Sequence, residues 1–229
     1  MNQTTLNLTA ITIFTLVMTS LLGPLIHLSP AVPAIATFSI LSFITVDTLG
    51  WQGQAGTLIV DWLNQFSPDH RLRVVRHEAG HFLAAHLLEI PVTGYTLSAW
   101  EAFRQGKPGL GGVSFGSQEL EAAVNQGSLP AQLFDRYCTV LMAGIAAESL
   151  SYDKPEGGQD DRQNFRLLWS KTQRPPSEGK QKEQWAIFQA KSLIQSHWEA
   201  YEALVSAMEQ RASVEDCQQA IEQLKRSEF

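Results

Sequence analysis

Residues 77–81 read His-Glu-Ala-Gly-His, the pattern H-E-x-x-H, and this stretch decides how the rest of the chain is interpreted. On a helix, side chains at i and i+4 lie about 40° apart on one face, so His77 and His81 can share a metal ion. Glu78 projects to the same side, where it can accept a proton from a water that the metal polarises. The stretch therefore predicts the first half of a zinc-hydrolase site, which needs a third protein ligand.

The flanking sequence predicts that this stretch lies on a helix. Ser67 and Pro68 form a helix start, and Pro91 ends the run. A glycine in the helix interior costs about 1 kcal/mol relative to alanine, so Gly80 is expected where another backbone approaches closely. The small residues of 143–147 could form that contact.

Three acidic residues compete for the role of third ligand. Asp160 and Asp161 follow a Gly-Gly pair at a helix start, where the helix dipole favours a carboxylate. Either of them can equally be an ordinary helix cap. Glu148 is either a ligand, a hydrogen-bond acceptor behind a ligand histidine, or a surface residue. The residues themselves leave this choice open.

The N-terminal region is predicted to be a membrane anchor, residues 1–50. Residues 1–46 carry no charge, and the apolar runs 8–28 and 31–49 are each long enough to cross a bilayer as a helix. A cleaved signal peptide is disfavoured because no positive charge precedes the first run. Buried core helices of a soluble domain are disfavoured because such helices are rarely free of charge over this length.

All 17 basic residues lie at or beyond Arg71, which predicts that the C-terminal part faces the cytoplasmic or stromal side of the membrane. Between anchor and motif, the linker 51–69 contains an apolar segment, 57–66. That segment can lie along the membrane interface or pack as an amphipathic helix. The net charge of −6 gives no reason to expect a nucleic-acid partner.

The C-terminal domain, residues 70–229, is predicted to be mostly helical with a small β element. Strands are expected over 92–100 and 111–115. They either bind an extended peptide along their edge or form a plain hairpin, and the sequence does not distinguish these two alternatives. Helices are expected over 128–150 and 161–169. Two more follow residue 177, the last opened by a capping box at Ser213 and Asp216. The two cysteines, Cys138 and Cys217, are expected to be reduced core residues.

Four ordered motifs resemble the peptidase domain of the FtsH family, the membrane-bound zinc proteases that carry an AAA ATPase. The motifs are RHEAGHFLAAHLLEIPV (76–92), GGVSF (111–115), LMAGIAAESL (141–150) and GGQDDRQNF (157–165). The resemblance implies a mainly helical zincin-type fold in which His77 and His81 bind Zn²⁺ and Glu78 is the general base. It also implies that Asp161 is the third ligand, with Asp160 in place of the family's asparagine.

The chain departs from that family between anchor and protease. Only the short linker separates the two, and neither Gly106-Lys107 nor Gly179-Lys180 continues as a Walker A motif. The chain is thus similar to stand-alone relatives without the ATPase module, as found in cyanobacteria and plastids. This similarity implies a bacterial plasma or thylakoid membrane, and a separate AAA ATPase or FtsH-type protein as a candidate partner.

The function predicted from the sequence is a membrane-anchored zinc metalloendopeptidase that hydrolyses protein or peptide substrates without its own ATPase. The alternative is a non-proteolytic zinc-binding scaffold or assembly factor that retains the fold. An intramembrane protease of the site-2 type is disfavoured, because Arg71, Arg73 and Arg76 flank the motif.

Overall fold

The structure is a computed structural model that describes residues 3–51, 53–106, 111–126, 129–172 and 174–225. These residues are mainly helical and contain a two-stranded antiparallel sheet, so the expected mainly helical class is confirmed. In chain order the elements are α1 (Gln3–Leu22), α2 (Ala31–Gly50), α3 (Gln54–Asn64), α4 (Pro68–Leu87), β1 (Val92–Thr96), α5 (Ala99–Arg104), β2 (Gly112–Phe115), α6 (Gln118–Asn125), α7 (Ala131–Leu141), α8 (Ala143–Ser151), α9 (Gln159–Ser170), α10 (Pro176–Ser196), α11 (Trp198–Glu209) and α12 (Val214–Lys225).

The described residues form two compact units. The N-terminal unit comprises those of Met1–Ser67 and Ser98–Leu110, and the C-terminal unit comprises those of Pro68–Leu97 and Gly111–Phe229. Most of the connection between β1 and β2 therefore belongs to the N-terminal unit.

In the N-terminal unit, α1 and α2 are long and apolar enough to cross a membrane. The candidate spans are Thr5–Ile26 and Ala31–Gly50, close to the predicted 8–28 and 31–49. The first ends in a 3₁₀ turn, Gly23–Ile26, which contains Pro24. Only 6% of the most apolar window of each span is buried. The side chains of these windows are thus mostly not buried among the described residues.

The end of α2 is fixed to the start of α3 by Asp47. Its buried carboxylate accepts hydrogen bonds from the backbone amides of Ala55 (2.9 Å) and Gly56 (2.8 Å). These amides lie in the first turn of α3, where they have no partner within the helix. The one charged residue of the predicted spans is therefore satisfied as a helix cap.

In the C-terminal unit, α4 is the central element, packed against α7, α8, α10, α11 and the β hairpin. It begins at Pro68, as predicted, and its buried residues run from Val75 to Ala85. A Cβ built on Gly80 would lie 2.6 Å from both the Ala143 carbonyl oxygen and the Ala147 Cβ. The predicted close approach of small residues at Gly80 is therefore confirmed, and it brings α8 against the H-E-x-x-H face.

Two predicted elements have different boundaries in the structure. The strand expected over 92–100 ends at Thr96, because the Ser98 side chain accepts a hydrogen bond from the Glu101 amide and begins α5. The helix expected over 128–150 is two helices, α7 and α8, divided at Met142, whose backbone (φ −94°, ψ 0°) leaves the ideal helical conformation. Ser128, its predicted start, lies outside the described residues.

The C-terminal helices also divide differently from the prediction. The first of the two helices expected after residue 177 is interrupted at His197 (φ −126°, ψ 40°), which separates α10 from α11. The predicted cap of α12 is confirmed, since the Ser213 hydroxyl accepts from the Asp216 amide at 3.1 Å and donates to the Asp216 carboxylate at 2.8 Å. Cys138 and Cys217 are buried and free, as expected.

Candidate metal centre

His77 and His81 bring their Nε2 atoms together on the face of α4 that α8 covers. The two nitrogens lie 3.1 Å apart, and both side chains are buried. The rings have room because residue 144 is a glycine: a Cβ there would overlap the Nε2 atoms of both imidazoles. A helix with any larger residue at this position could not approach the histidine pair as closely.

Asp161 completes a triangle with the two imidazoles. Its Oδ2 lies 3.0 Å from His77 Nε2 and 3.3 Å from His81 Nε2. Ligand atoms at about 2.0–2.1 Å from a tetrahedral zinc are separated by about 3.4 Å, so the three edges are close to those of one face of a zinc tetrahedron. His77, His81 and Asp161 therefore form a cluster that could hold a metal ion.

The start of α9 places Asp161 in the site. Gly158, the residue before the helix, has φ +88°, a conformation that suits glycine. A Cβ at this position would also overlap the Ile145 side chain of α8. Asp161 consequently lies in the first turn of α9, where the helix dipole favours its ionised form.

The Nδ1 atoms of both imidazole rings also have hydrogen-bond partners. His81 Nδ1 lies 2.7 Å from the Val140 carbonyl oxygen, and His77 Nδ1 lies 2.7 Å from Glu148 Oε1. A carbonyl oxygen can only accept, so Nδ1 of His81 donates and, in the neutral ring, Nε2 keeps its lone pair for a metal. Such outer hydrogen bonds orient histidine ligands and increase their basicity.

Glu148 lies behind His77 and is surrounded by donors. Its side chain accepts from the amides of Glu156 (2.8 Å) and Gly157 (3.1 Å) and from the Arg73 guanidinium (3.2 Å). Burial alone would raise the pKa of Glu148, but the hydrogen bonds from His77 and the two amides lower it to about 2. The carboxylate is thus ionised and directed at Nδ1 of His77.

This geometry separates the three acidic candidates left open by the sequence. Asp161 belongs to the cluster that could hold a metal ion, Glu148 lies within hydrogen-bond distance of His77, and Asp160 is exposed to solvent.

The charges of the cluster favour a cation at its centre. Burial lowers the pKa of His77, but hydrogen bonds with Asp161 and Glu148 outweigh this effect and raise the pKa to about 10. Burial opposes the charged forms of His81 and Asp161 as well. Their mutual attraction nevertheless raises the pKa of His81 and holds the pKa of Asp161 well below its usual range. Positive charge is therefore stabilised here, and a divalent cation can supply it.

Glu78 lies beside this cluster and against β2. Its Oε2 accepts a hydrogen bond from the Val113 amide at 2.9 Å, and a Cβ on Gly112 would lie 3.2 Å from the same oxygen. Burial raises the pKa of Glu78, although the charges of His77 and His81 and the Val113 hydrogen bond oppose the increase. A carboxylate with a raised pKa next to a metal cluster is suited to proton transfer.

Some supporting groups were not predicted from the sequence. The Val140 carbonyl is a backbone acceptor and has no side-chain signal. The sequence gives only a weak indication of the contact between Arg73 and Glu148. Arg73 precedes His77 by four residues, which places it on the same face of α4.

No protein-family model matches the sequence, and no curated protein matches it.

Proposed function

We propose that this chain is a membrane-anchored, zinc-dependent metalloendopeptidase that lacks its own ATPase. The observation that carries the proposal is the convergence of His77, His81 and Asp161 with Glu78 beside them. Two imidazoles and one carboxylate are a donor set that suits zinc, and three protein ligands leave one coordination position open, as in catalytic sites.

When bound, zinc would supply Lewis-acid polarisation of the attacking water and of the scissile carbonyl. Glu78 accepts the proton of that water and later transfers it to the leaving amine, a role for which its raised pKa is suitable. Glu148 and the Val140 carbonyl keep the two imidazoles in a fixed orientation. Asp161 contributes a negative charge from the start of α9.

The substrate is proposed to be an extended segment of a protein or peptide. The amide of Val113 points to Glu78, so this edge of β2 faces the proposed general base. A peptide added along a strand edge would present its backbone carbonyls by main-chain hydrogen bonding. Without an unfolding motor of its own, the enzyme would act on flexible or unfolded segments, or with a separate AAA ATPase.

The anchor is proposed to be the pair α1 and α2, which could span a membrane. The distribution of basic residues favours a cytoplasmic or stromal C-terminal unit, in a bacterial plasma or thylakoid membrane.

Cleavage of an unfolded protein tests the proposal. The purified full chain should cleave casein, lose this activity with a zinc chelator and regain it with added zinc. Glu78→Gln should keep the zinc and lose the cleavage. If Glu78→Gln cleaves casein as fast as the wild type, Glu78 is not the general base. A wild-type chain that binds zinc but cleaves no unfolded protein would instead be the non-proteolytic scaffold.

A further inference from the structure

Helix α3 exposes the large apolar residues of one face. Ile59, Trp62 and Phe66 are 46%, 61% and 67% exposed. Their spacing of i, i+3 and i+7 places them on one stripe that begins in the helix and ends just beyond it. The rings of Trp62 and Phe66 contact each other edge to face, with centroids 5.0 Å apart.

Helix α5, in the connection between β1 and β2, also exposes its large apolar residues. Its small residues, Ala99 and Ala102, are buried, whereas Trp100 and Phe103 are 56% and 54% exposed. The two exposed rings stack with centroids 5.8 Å apart. In a helix that packs only on its own protein, the aromatic residues usually face inward, so this outward aromatic face marks an interaction surface.

The two helices are joined to each other and to the candidate spans. The Asp61 carboxylate of α3 accepts a hydrogen bond from the Ala99 amide at 2.9 Å, at the start of α5. Helix α3 contacts α1, α2 and α5, and Asp47 at the end of α2 caps its first turn. The exposed aromatic residues therefore belong to the same compact unit as the spans.

We infer that the aromatic patch, defined as Ile59, Trp62, Phe66, Trp100 and Phe103, inserts into the headgroup boundary of the bilayer that α1 and α2 span. The inference rests on the proposed membrane anchoring. Continuity with the spans identifies lipid as the partner, because α3 starts where α2 ends and tryptophan is enriched at that depth of a membrane.

The attraction comes from apolar burial rather than from charge. Among the described residues of this unit, the charged side chains are Asp47, Asp61, Glu101 and Arg104, an acidic balance. Anionic headgroups would not be attracted to such a surface, whereas aromatic and aliphatic side chains enter the interface of a neutral bilayer. Residues 98–106 would then touch the membrane at a point separate in sequence from the spans.

Depth measurements on single cysteines test this patch. Ile59→Cys and Phe103→Cys are labelled with an environment-sensitive fluorophore and reconstituted as the full chain in phosphatidylcholine vesicles. Glu199→Cys, at an exposed position on α11, is the matched control. The wild-type chain gives the background, which is low because Cys138 and Cys217 are fully buried. Quenching is measured with brominated lipid and with aqueous iodide.

Labels at both patch positions should be quenched several-fold more by brominated lipid, and several-fold less by iodide, than the label at residue 199. Anionic phosphatidylglycerol should leave these values unchanged. Strong iodide quenching at both positions overturns the inference. So does shielding from both quenchers, which would indicate a protein partner or a second copy, and so does insertion that requires anionic lipid.

Alkaline extraction of the same vesicles separates the inference from the proposed anchor. A chain that is released into the supernatant has no spanning anchor, and both proposals are then wrong. A chain that stays in the vesicles while both labels remain in water keeps its anchor, and only the aromatic patch is rejected.

Discussion

The N-terminal unit exposes large apolar side chains of the kind that the C-terminal unit buries. Phe38 and Leu49 of α2 are largely exposed, whereas Phe82 and Leu83 of α4 are fully buried. Buried carboxylates follow one rule in both units: Asp47 and Glu148 each accept hydrogen bonds from the backbone amides eight and nine residues further along the chain. Whether an apolar side chain is exposed or buried depends on the solvent around the helix. A buried carboxylate needs hydrogen-bond donors both in water and in a bilayer.

The largest expected effect concerns the acidic ligand. Asp161→Asn should lower zinc affinity by more than about 100-fold, because it removes an anionic ligand and not merely a group that supports one. Asp160→Asn is the matched control, since its carboxylate is exposed and should leave the affinity unchanged. Calorimetric titration and the zinc content of the purified chains provide the measurement. If Asp161→Asn and the wild type bind zinc equally, Asp161 is not a zinc ligand.

A smaller loss is expected when the carboxylate behind His77 is neutralised. Glu148→Gln should lower zinc affinity by about 10- to 100-fold, because the ring of His77 loses its charged acceptor. Glu156→Gln removes an exposed carboxylate that also pairs with Arg73, so it controls for the loss of that ion pair. If both variants lose the same affinity, the effect comes from Arg73 and not from His77.

The same substitution in the two units should have different effects on stability. Gly80→Ala forces a Cβ into the contact between α4 and α8 and should lower the free energy of unfolding of the C-terminal unit by about 1–3 kcal/mol. Gly50→Ala meets nothing within 4 Å and should change stability by less than about 0.5 kcal/mol. Denaturant titration in micelles measures both. A neutral Gly80→Ala would mean that the two helices can separate without cost.

The smallest effect is expected at the cap of α3. Asp47→Asn keeps one acceptor but loses the charge that faces the start of the helix, which should cost about 1 kcal/mol. The readout is faster amide hydrogen exchange in α3. Thr48→Val is the control, because the Thr48 hydroxyl donates within α2, to the Ile44 carbonyl. Unchanged exchange in Asp47→Asn would show that the cap does not stabilise α3.

Features that depend on local sequence were predicted well. The start of α4 at Pro68, the cap at Ser213 and the two apolar N-terminal helices all follow from residues that are close in the chain. The helix breaks at Met142 and His197 were missed, because neither residue is a helix breaker and the apolar pattern continues through both. Helix α5 was missed because Trp100 also suits a strand.

By itself the sequence determined the paired histidines, the glutamate between them and the charge-free N-terminal segment, because helical spacing and hydrophobicity are local properties. Only the tertiary structure decided which distant carboxylate faces the histidines. Asp160 and Asp161 are adjacent residues of the same type, and Glu148 is also a carboxylate, so residue type does not distinguish the three. Three features of the fold distinguish these carboxylates: the turn at Gly158, the space at Gly144 and the hydrogen-bond donors around Glu148. All three features depend on how α8 and α9 pack on α4.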